Sequence, residues 1–553
     1  MRPAALIVCA LLLELGWLVM WPMSFTLSHS ALFTSSLLTS NPSIQHVLDV
    51  LPRLSEAPLA DLPGSPSYLL PATVLVVTFL VLLVTYAVAL GVLSGARNTM
   101  RGGVVIVVLG AVVFELTLLA LPGLFSQDVF SYIAYGRAAA LYGLNPYIWP
   151  PSVLQDPVLP WVADIWRTYT SPYGPLWVNL QWLLATVTQG LSITDQALVY
   201  RALGAALLLL NLALAWPLLG RVTPLSPAQR TAALAALAWN PVLLLEVAGG
   251  AHNDVLMVTF CLLGLLLFRE SSRGLTSVAA LSLGTVVKYL SGIGLMWLAV
   301  ASAARGRAWP HRIGRLVLLA GVAVGLAALS FAPWLELPDS LDSLLNETAR
   351  VGYVNSLPDT LVQLLLGSVG TSGALEGVRL VERVFVIAVF GVYLVWETRQ
   401  VWSDPGRAAV ARAVARGSLV FVVLVSTSVQ TWYFCLPVSI AILLGLREPV
   451  ARLALAYGAL ALPALYLSYY LREQTPGWVF VVYAFAPLLV LMPELRAWRS
   501  RARGGVPGAV VAQPLGLPRT SPIQGRYATI VSGSSIRRTS ARTSHEPREG
   551  ALE

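Results

Sequence analysis

The chain has 553 residues, of which 57% are hydrophobic and only 11% are charged. Soluble domains carry about 25% charged residues, so this composition excludes a water-soluble globular fold and requires lipid around most of the apolar surface. The net charge of +9 comes from arginines in short loops and in the tail, which is typical of cytoplasmic segments of membrane proteins rather than of nucleic-acid binding. The three cysteines lie apart in apolar runs without a Cys-x-x-Cys pair, so they predict neither a disulfide framework nor a zinc site.

Apolar stretches recur along the chain and predict an all-α polytopic membrane protein with about 12–15 transmembrane helices. The first follows Met1-Arg2-Pro3 and lacks a clear cleavage site, so we interpret it as an uncleaved helix rather than a signal peptide. The stretches cover residues 4–24, 68–94, 103–123, 199–219, 230–250, 254–269, 275–289, 290–304, 316–334, 380–398, 413–429, 434–447, 450–469 and 477–493.

Arginine placement predicts the orientation of these helices. Arginines gather in short loops, at 97–101, 221–230, 269–273, 305–315, 399–416 and 447–452, and such loops face the cytoplasm. These loops can all face the cytoplasm only if one helix, not two, crosses the membrane between Pro175 and Arg221. We therefore interpret the apolar stretch 173–192 as an interfacial helix. Both termini are then cytoplasmic in the plasma membrane. The segments predicted outside are 25–66, 124–198, 251–253, 335–379, 430–433 and 470–476.

The composition changes near residue 499. Residues 1–498 are expected to form one transmembrane catalytic domain. Residues 499–553 are rich in Gly, Pro, Ser, Thr and Arg without apolar periodicity, which predicts a disordered basic cytoplasmic tail.

Polar residues gather at the predicted outer helix ends, first around Asp128. A carboxylate there is a candidate general base, because a sugar hydroxyl that attacks an anomeric carbon must lose its proton. Tyr132, Tyr135 and Arg137 follow at helical spacing and offer a sugar-binding face. Alternatively, Ser126 and Asp128 only cap the next helix.

A second polar group, Gly250-Ala251-His252-Asn253-Asp254, stands between two apolar stretches. A helix N-terminus favours an anion, so His252, Asn253 and Asp254 are candidates for contact with a sugar phosphate. The alternative is that Asn253 or Asp254 only caps the following helix. His-x-Asp is also half of a metal site, but nothing nearby completes it.

Lys288 is the only lysine in the chain and lies at the predicted outer end of an apolar stretch, beside Tyr289. An ionisable residue at membrane depth is a candidate functional residue, although a lysine that snorkels to the interface is the alternative. Further candidates are Arg350 in an outer loop and the aromatic pair Trp432-Tyr433, which suits either sugar stacking or an interfacial belt.

The sequence contains no Gly-rich nucleotide loop and no Asp-x-Asp pair. The expected donor is therefore a lipid monophosphate sugar whose prenyl chain lies against apolar helices. We expect no cofactor and no metal, because Lys288, His252, Arg350 or Arg137 can neutralise a monophosphate leaving group.

Taken together, the motifs resemble the GT-C glycosyltransferases that use polyprenyl-phosphate sugars, above all the actinobacterial α-1,6-mannosyltransferases of lipomannan-type cores. The motifs lie in family order between residues 125 and 435. They are Asp128-Val129-Phe130-Ser131-Tyr132, Gly143-Leu144-Asn145-Pro146-Tyr147, Tyr173-Gly174-Pro175-Leu176, Asn240-Pro241, His252-Asn253-Asp254, Lys288-Tyr289 and Gln430-Thr431-Trp432-Tyr433.

The resemblance implies a membrane mannosyltransferase that inverts the donor configuration on the outer face, with a glycan or glycolipid acceptor and Asp128 as the base. Donor contacts are then expected from Lys288, Tyr289, His252, Asp254, Arg137 and Arg350, and a substrate lining from Tyr132, Asn145, Tyr173, Asn253, Trp432 and Tyr433.

A transporter or flippase for a lipid-linked sugar is the alternative function. Glu14, Glu115 and Glu246 lie within apolar runs, and such acids couple ion movement in transporters. The sequence shows no repeated halves, and its polar motifs favour one membrane surface over the midplane. A structural scaffold is a weaker third option, because it has no need of Lys288 or His252.

Overall fold

The computed structural model describes residues 2–27, 37, 40–50, 66–95, 102–269, 274–306, 308–336, 339–340, 354–366, 372–471, 479 and 481–490. Within them, helices dominate, and one isolated parallel bridge joins Val354 to Ser428. The helices are α1 (Arg2–Leu27), α2 (Pro42–Val50), α3 (Pro66–Ser94), α4 (Gly103–Leu119), α5 (Asp128–Tyr142), α6 (Asp164–Arg167), α7 (Pro175–Thr188), α8 (Ile193–Arg221), α9 (Pro227–Ala238), α10 (Pro241–Leu244), α11 (Asp254–Leu267), α12 (Leu275–Thr285), α13 (Gly292–Ala304), α14 (Trp309–Phe331), α15 (Leu357–Leu366), α16 (Ser372–Ser403), α17 (Arg407–Val420), α18 (Cys435–Ile442), α19 (Pro449–Leu471) and α20 (Val481–Val490).

Seven helical stretches of the described chain are long and apolar enough to cross a membrane. They are Pro3–Ser24, Ala72–Ser94, Ile193–Arg221, Pro227–Gly249, Trp309–Trp334, Arg407–Val425 and Pro449–Leu467. Six further apolar helices have 10–17 residues, namely Gly103–Leu119, Asp254–Leu267, Leu275–Thr285, Tyr289–Ala304, Thr431–Ile442 and Val481–Val490. The prediction of an all-α polytopic membrane protein is confirmed, and the full number of crossings stays a prediction.

The stretch Pro227–Gly249 is the centre of the bundle. Its most apolar window is 100% buried inside the protein, whereas that of Trp309–Trp334 is 11% buried, so α14 presents most of its surface to lipid. Small side chains explain the central position, because α9 reads Thr231-Ala-Ala-Leu-Ala-Ala-Leu-Ala and lets neighbouring backbones approach closely. Helices α3, α4, α8 and α18 pack around it.

The central stretch is not the single helix that residues 230–250 predict. It breaks at Asn240, whose side chain accepts hydrogen bonds from the backbone N–H groups of Val242 and Leu243, while Pro241 occupies the first position of α10. Proline lacks an N–H and cannot continue the ladder, and asparagine is a preferred N-cap. A π-helical turn, Leu245–Gly249, then completes the stretch. The break ends the straight helix just before the polar segment 250–254.

The segment between α4 and α8 is built of shorter elements. Helix α7 has 14 residues, fewer than the ~20 that span a bilayer, and it packs against α5. The approach is close because a Cβ on Gly136 would lie 2.4 Å from the carbonyl oxygen of Gln181. The interfacial role predicted for residues 173–192 stays a prediction.

By its internal contacts the chain divides into two units, Met1–Leu495 and Arg496–Glu553. All of the second unit lies outside the described residues. The predicted disordered tail, 499–553, therefore stays a prediction, as does the role of 1–498 as one catalytic domain.

Candidate active site

Asp128 and Asp254 occupy equivalent positions at the start of two helices. Asp128 is the first residue of α5 and Asp254 the first of α11, where the helix dipole favours a carboxylate. Neither aspartate is the N-cap of its helix: the N-cap of α5 is Gln127 and that of α11 is Asn253. The side chain of Ser126 accepts a hydrogen bond from the Asp128 N–H at 3.3 Å. The indole of Trp166 hydrogen-bonds the Asp128 carboxylate. The Asp128 side chain is therefore available for a role other than capping.

A strained turn brings Glu246 and His252 together. After the π-helical turn, Ala251 adopts a left-handed conformation with φ 60°, and the backbone N–H of His252 donates to the carbonyl of Glu246 at 3.1 Å. Positive φ is uncommon for a residue with a Cβ and often marks a functional site. The N-cap of α11 is Asn253, but its side chain makes no capping bond, so capping does not account for this motif.

Five ionisable side chains converge at these turns, and we call them the ionisable cluster: Asp128, Glu246, His252, Asp254 and Lys288. The imidazole of His252 lies between two acids, with Nδ1 3.8 Å from Asp128 Oδ2 and Nε2 3.3 Å from Glu246 Oε2. Lys288 Nζ lies 2.7 Å from Asp254 Oδ2. Three carboxylates thus face one lysine and one histidine in a largely buried site.

Aromatic rings cover the cations of the cluster. Trp432 stacks on His252 with ring centroids 3.7 Å apart and an interplanar angle of 14°, and Lys288 Nζ lies 4.7 Å from the ring centroid of Tyr433. Cation–π contacts of this kind stabilise a desolvated charge. The Trp432-Tyr433 pair predicted from the sequence therefore contacts the cluster directly.

Lys288 is positioned by a close backbone contact with the Tyr173-Gly174-Pro175 turn. The N–H of Gly174 donates to the Val287 carbonyl at 3.2 Å, and that of Leu176 donates to Val286 at 2.9 Å. A Cβ on Gly174 would lie 2.3 Å from the Val286 oxygen, so only glycine allows this approach. The predicted apolar stretch 275–289 is shorter than expected, because α12 ends at Thr285 and Lys288 follows in extended backbone.

Tyrosines and a tryptophan line the α5 side of the cluster. The ring of Tyr132 packs edge-on against Tyr173 at 5.1 Å and against Trp177 at 5.3 Å. Its hydroxyl hydrogen-bonds the side chain of Tyr173 and the backbone of Asn253. The amide nitrogen and oxygen of the Asn253 side chain are buried and have no protein hydrogen-bond partner. This wall combines stacking surfaces with a polar group suited to a sugar hydroxyl.

Three predicted site residues are not brought to the cluster. The guanidinium of Arg137 lies at the other end of α5 and forms a buried ion pair with Asp156, with Nη2 and Oδ2 2.9 Å apart. The Asn145 amide donates to the carbonyl of Trp334 at 2.9 Å, and Tyr289 is 47% exposed. The position of Arg350 lies outside the described residues.

Three contacts of the cluster were not predicted from the sequence. The indole of Trp166 reaches Asp128, and the hydroxyls of Thr431 and Tyr466 both donate to Glu246 Oε1. Thr431 belongs to the Gln430–Tyr433 motif, but Trp166 stands in the four-residue helix α6 without a motif, and Tyr466 lies in an apolar stretch. No local pattern distinguishes these two aromatic residues from interfacial ones.

Arg201 connects the two turns that carry the acids. Its buried guanidinium donates to the carbonyls of Leu118 and Leu121, at the end of α4, and to that of Ala248 in the π-helical turn. A helix C-terminus favours a cation. Arg201 therefore holds the segment leading to Asp128 against the segment leading to His252.

Burial is the main influence on the ionisation of Asp128. It raises the pKa of this carboxyl, and the neighbouring side chains of His252 and Lys288 offset the effect only in part. A buried base with a raised pKa is better matched to proton abstraction near neutral pH. Among the described residues, no three His, Cys, Asp or Glu side chains converge as metal ligands. The cluster offers a base, a lysine, an imidazole and aromatic walls.

Comparison with known proteins shows that part of the chain matches a protein family. Residues 32–305 match the family described as "Alpha-(1->6)-mannopyranosyltransferase, N-terminal domain", a region that contains all five residues of the ionisable cluster. The match ends before the Gln430–Tyr433 motif.

Individual relatives agree with this match. The chain is 32% identical over 170 residues to alpha-(1->6)-mannopyranosyltransferase A of Corynebacterium glutamicum, covering 31% of this chain and 33% of the relative. It is 30% identical over 181 residues to the enzyme of the same name from Mycobacterium tuberculosis, covering 33% of this chain and 34% of the relative.

A longer alignment reaches alpha-(1->6)-mannopyranosyltransferase B of Corynebacterium glutamicum, with 26% identity over 308 residues, 50% of this chain and 49% of the relative. The alignments thus span between 33% and 49% of these curated relatives. The resemblance to GT-C α-1,6-mannosyltransferases is confirmed: residues 32–305 match the N-terminal domain of that family, and the individual relatives carry the same name.

Proposed function

We propose that the protein transfers mannose from a polyprenyl-phosphate sugar to a hydroxyl of a glycan or glycolipid acceptor, on the outer face of the plasma membrane. The observation that carries the proposal is the convergence of Asp128, His252 and Lys288 at the ends of apolar helices. The sugar and the α-1,6 linkage follow from the names of the relatives.

The reaction is a single displacement. The acceptor hydroxyl oxygen attacks the anomeric carbon while the bond from that carbon to the phosphate oxygen breaks, and its electron pair leaves with the phosphate. The hydroxyl proton passes to Asp128. Attack and departure take place on opposite faces of the sugar, so the configuration inverts and a β-linked donor yields an α-linked product.

Lys288 is the cation that the cluster offers to the donor phosphate. Lys288 has 20% of its side chain exposed, so a phosphate oxygen has access to it while Asp254 holds it in place. A charge-assisted hydrogen bond to the leaving phosphate strengthens as negative charge develops there. Arg137, paired with Asp156, is left out of this proposal.

Two of the three acids within apolar runs, Glu246 and Glu14, favour an enzyme over a transporter. Glu246 accepts from Thr431 and Tyr466 and faces His252, so it belongs to the same cluster as the proposed base. Glu14 accepts from Thr117 in the neighbouring helix. An acid held by hydroxyl donors beside a base is suited to positioning that base, whereas ion coupling needs an acid that exchanges its partner.

The test is a transfer assay with the purified full-length chain in lipid vesicles. We expect release of polyprenyl phosphate and mannosylation of an added acceptor when labelled polyprenyl-phosphate mannose is the donor. A nucleotide sugar supplied without any lipid-linked sugar should give no product. Product from the nucleotide sugar would refute the lipid donor, and movement of labelled lipid across the bilayer without transfer would favour the flippase.

Orientation is predicted from the arginine-rich short loops. A reporter fused after Glu553 should report the cytoplasm, whereas one inserted near Ser340 should report the outer side, because the intervening helices carry Arg399–Arg416 and Arg447–Arg452 between them. Two reporters on the same side would mean that an odd number of crossings is miscounted. The outer position of the site would then be wrong.

A further inference from the structure

Glu246 accepts hydrogen bonds on one oxygen and faces His252 with the other. The hydroxyls of Thr431 and Tyr466 donate to Oε1, while Oε2 lies 3.3 Å from Nε2 of His252. The side chain is completely buried. An ionised carboxylate accepts hydrogen bonds and donates none, so Oε1 satisfies both hydroxyl donors while the other oxygen is turned to the imidazole.

This arrangement determines which nitrogen of His252 carries the proton. Because the Glu246 carboxylate lies beside Nε2, it favours the tautomer with the proton on that nitrogen, and the lone pair of Nδ1 is then on the side of Asp128 Oδ2, 3.8 Å away. The stack on Trp432 keeps the ring in this plane. Hydrogen bonds between catalytic groups are often long without substrate and shorten in the reacting complex.

We propose that Glu246 and His252 form a relay that takes the proton from Asp128 after transfer, so that the buried base is restored for the next turnover. This inference rests on the function proposed above. The Asp128 Oδ2–H bond breaks, the proton joins Nδ1, and the resulting imidazolium is stabilised by the Glu246 carboxylate. Nδ1 then releases the proton to water when the products leave. No oxidant or other reactant is needed.

The surroundings of His252 suit this role. The charged groups that face it are Asp128 from α5, Glu246 from the π-helical turn and the Lys288–Asp254 pair, and the acids outnumber the lysine by three to one. An imidazolium therefore forms beside net negative charge. Glu246 and His252 act through Asp128 and are positioning residues.

The test is Glu246→Gln in the full-length protein. Glutamine keeps the shape and accepts from Thr431 and Tyr466, but it removes the charge. We expect kcat to fall by about 10²-fold with KM nearly unchanged, a smaller loss than the ~10⁴-fold for the equivalent change in a serine-protease triad, because Asp128 itself remains. The matched control is Glu115→Gln, the same change at a buried acid of α4, with kcat expected within about twofold.

The pH profile separates this role from a structural one. The negative charge of Glu246 contributes to the raised pKa of Asp128. Removal of that charge should therefore move the acid limb of the kcat–pH profile to lower pH. A merely structural role of Glu246 would lower kcat without moving the limb. An unmoved limb would overturn the relay.

Double variants distinguish the relay from the proposed function. In an Asp128→Asn background, Glu246→Gln should add less than about twofold, because both changes remove the same proton path. Losses that multiply would overturn the relay. Full activity of Glu246→Gln beside an inactive Asp128→Asn would overturn the relay alone, and an active Asp128→Asn enzyme would overturn the proposed function and the relay with it.

Discussion

Asp128→Asn is expected to slow mannose transfer by about 10²–10⁴-fold, the usual contribution of a general base. Asparagine keeps the shape of the side chain and a hydrogen bond to the indole of Trp166, but it cannot accept the proton of the acceptor hydroxyl. Donor binding should be nearly unchanged, because Lys288 and the aromatic walls remain. Single-turnover rates and donor Kd, measured on protein in lipid vesicles, check both expectations.

The pH dependence of the transfer rate is a second test of Asp128 as the general base. Only the carboxylate accepts a proton, so activity should be lost as the pH falls through the pKa of this group. Burial raises that pKa above its ordinary value, so the acid limb should lie above pH ~3.9, where an unperturbed aspartate titrates. The remaining activity of Asp128→Asn should lack this limb.

Asp164→Asn is the matched control. Asp164 also begins a short helix in the same segment, but its side chain is 92% exposed and pairs with Arg167 within one turn, so its removal should be nearly neutral. If Asp128 only stabilised the N-terminus of α5, both variants would have nearly wild-type activity, because asparagine is tolerated at a helix N-terminus. A normally folded Asp128→Asn enzyme with full activity would remove Asp128 from the mechanism.

Lys288→Met is expected to impair donor binding as well as rate, because a cation that contacts the phosphate acts on both the ground state and the transition state. Loss of one charge-assisted hydrogen bond corresponds to about 10–100-fold in Kd. The variant also leaves the fully buried Asp254 without its partner, which costs about 3–5 kcal/mol when a buried pair is broken. Thermal stability must therefore be measured beside donor affinity.

The double variant Lys288→Met with Asp254→Asn separates the two effects. It leaves no unpaired charge, so stability should return close to that of the wild type, since a buried ion pair replaced as a whole is often neutral. Donor binding should stay weak, because the phosphate has still lost its cation. Recovery of activity together with stability would show that Lys288 only neutralises Asp254.

Much of the site was visible in the sequence because polar residues are costly in apolar surroundings. Asp128, His252 and Lys288 each interrupt an apolar run. Each can therefore be recognised as a candidate functional residue from its local sequence alone. The cluster unites these three, and Trp432 and Tyr433 join them. Arg137 has the same local signal as Lys288 but pairs with Asp156, 19 positions along the chain, which helical spacing alone does not reveal.

The amino-acid sequence by itself determined that lipid surrounds this protein, where most of its helices run and which short loops carry arginine. These are properties of composition and of single segments. Only the tertiary structure decided the partners of the charges: Glu246 meets Thr431 and Tyr466, which are 185 and 220 positions away, and the break at Asn240 turns the chain towards His252. Such pairings depend on how distant helices pack, and a buried charge is stabilised by whichever donor that packing brings within reach.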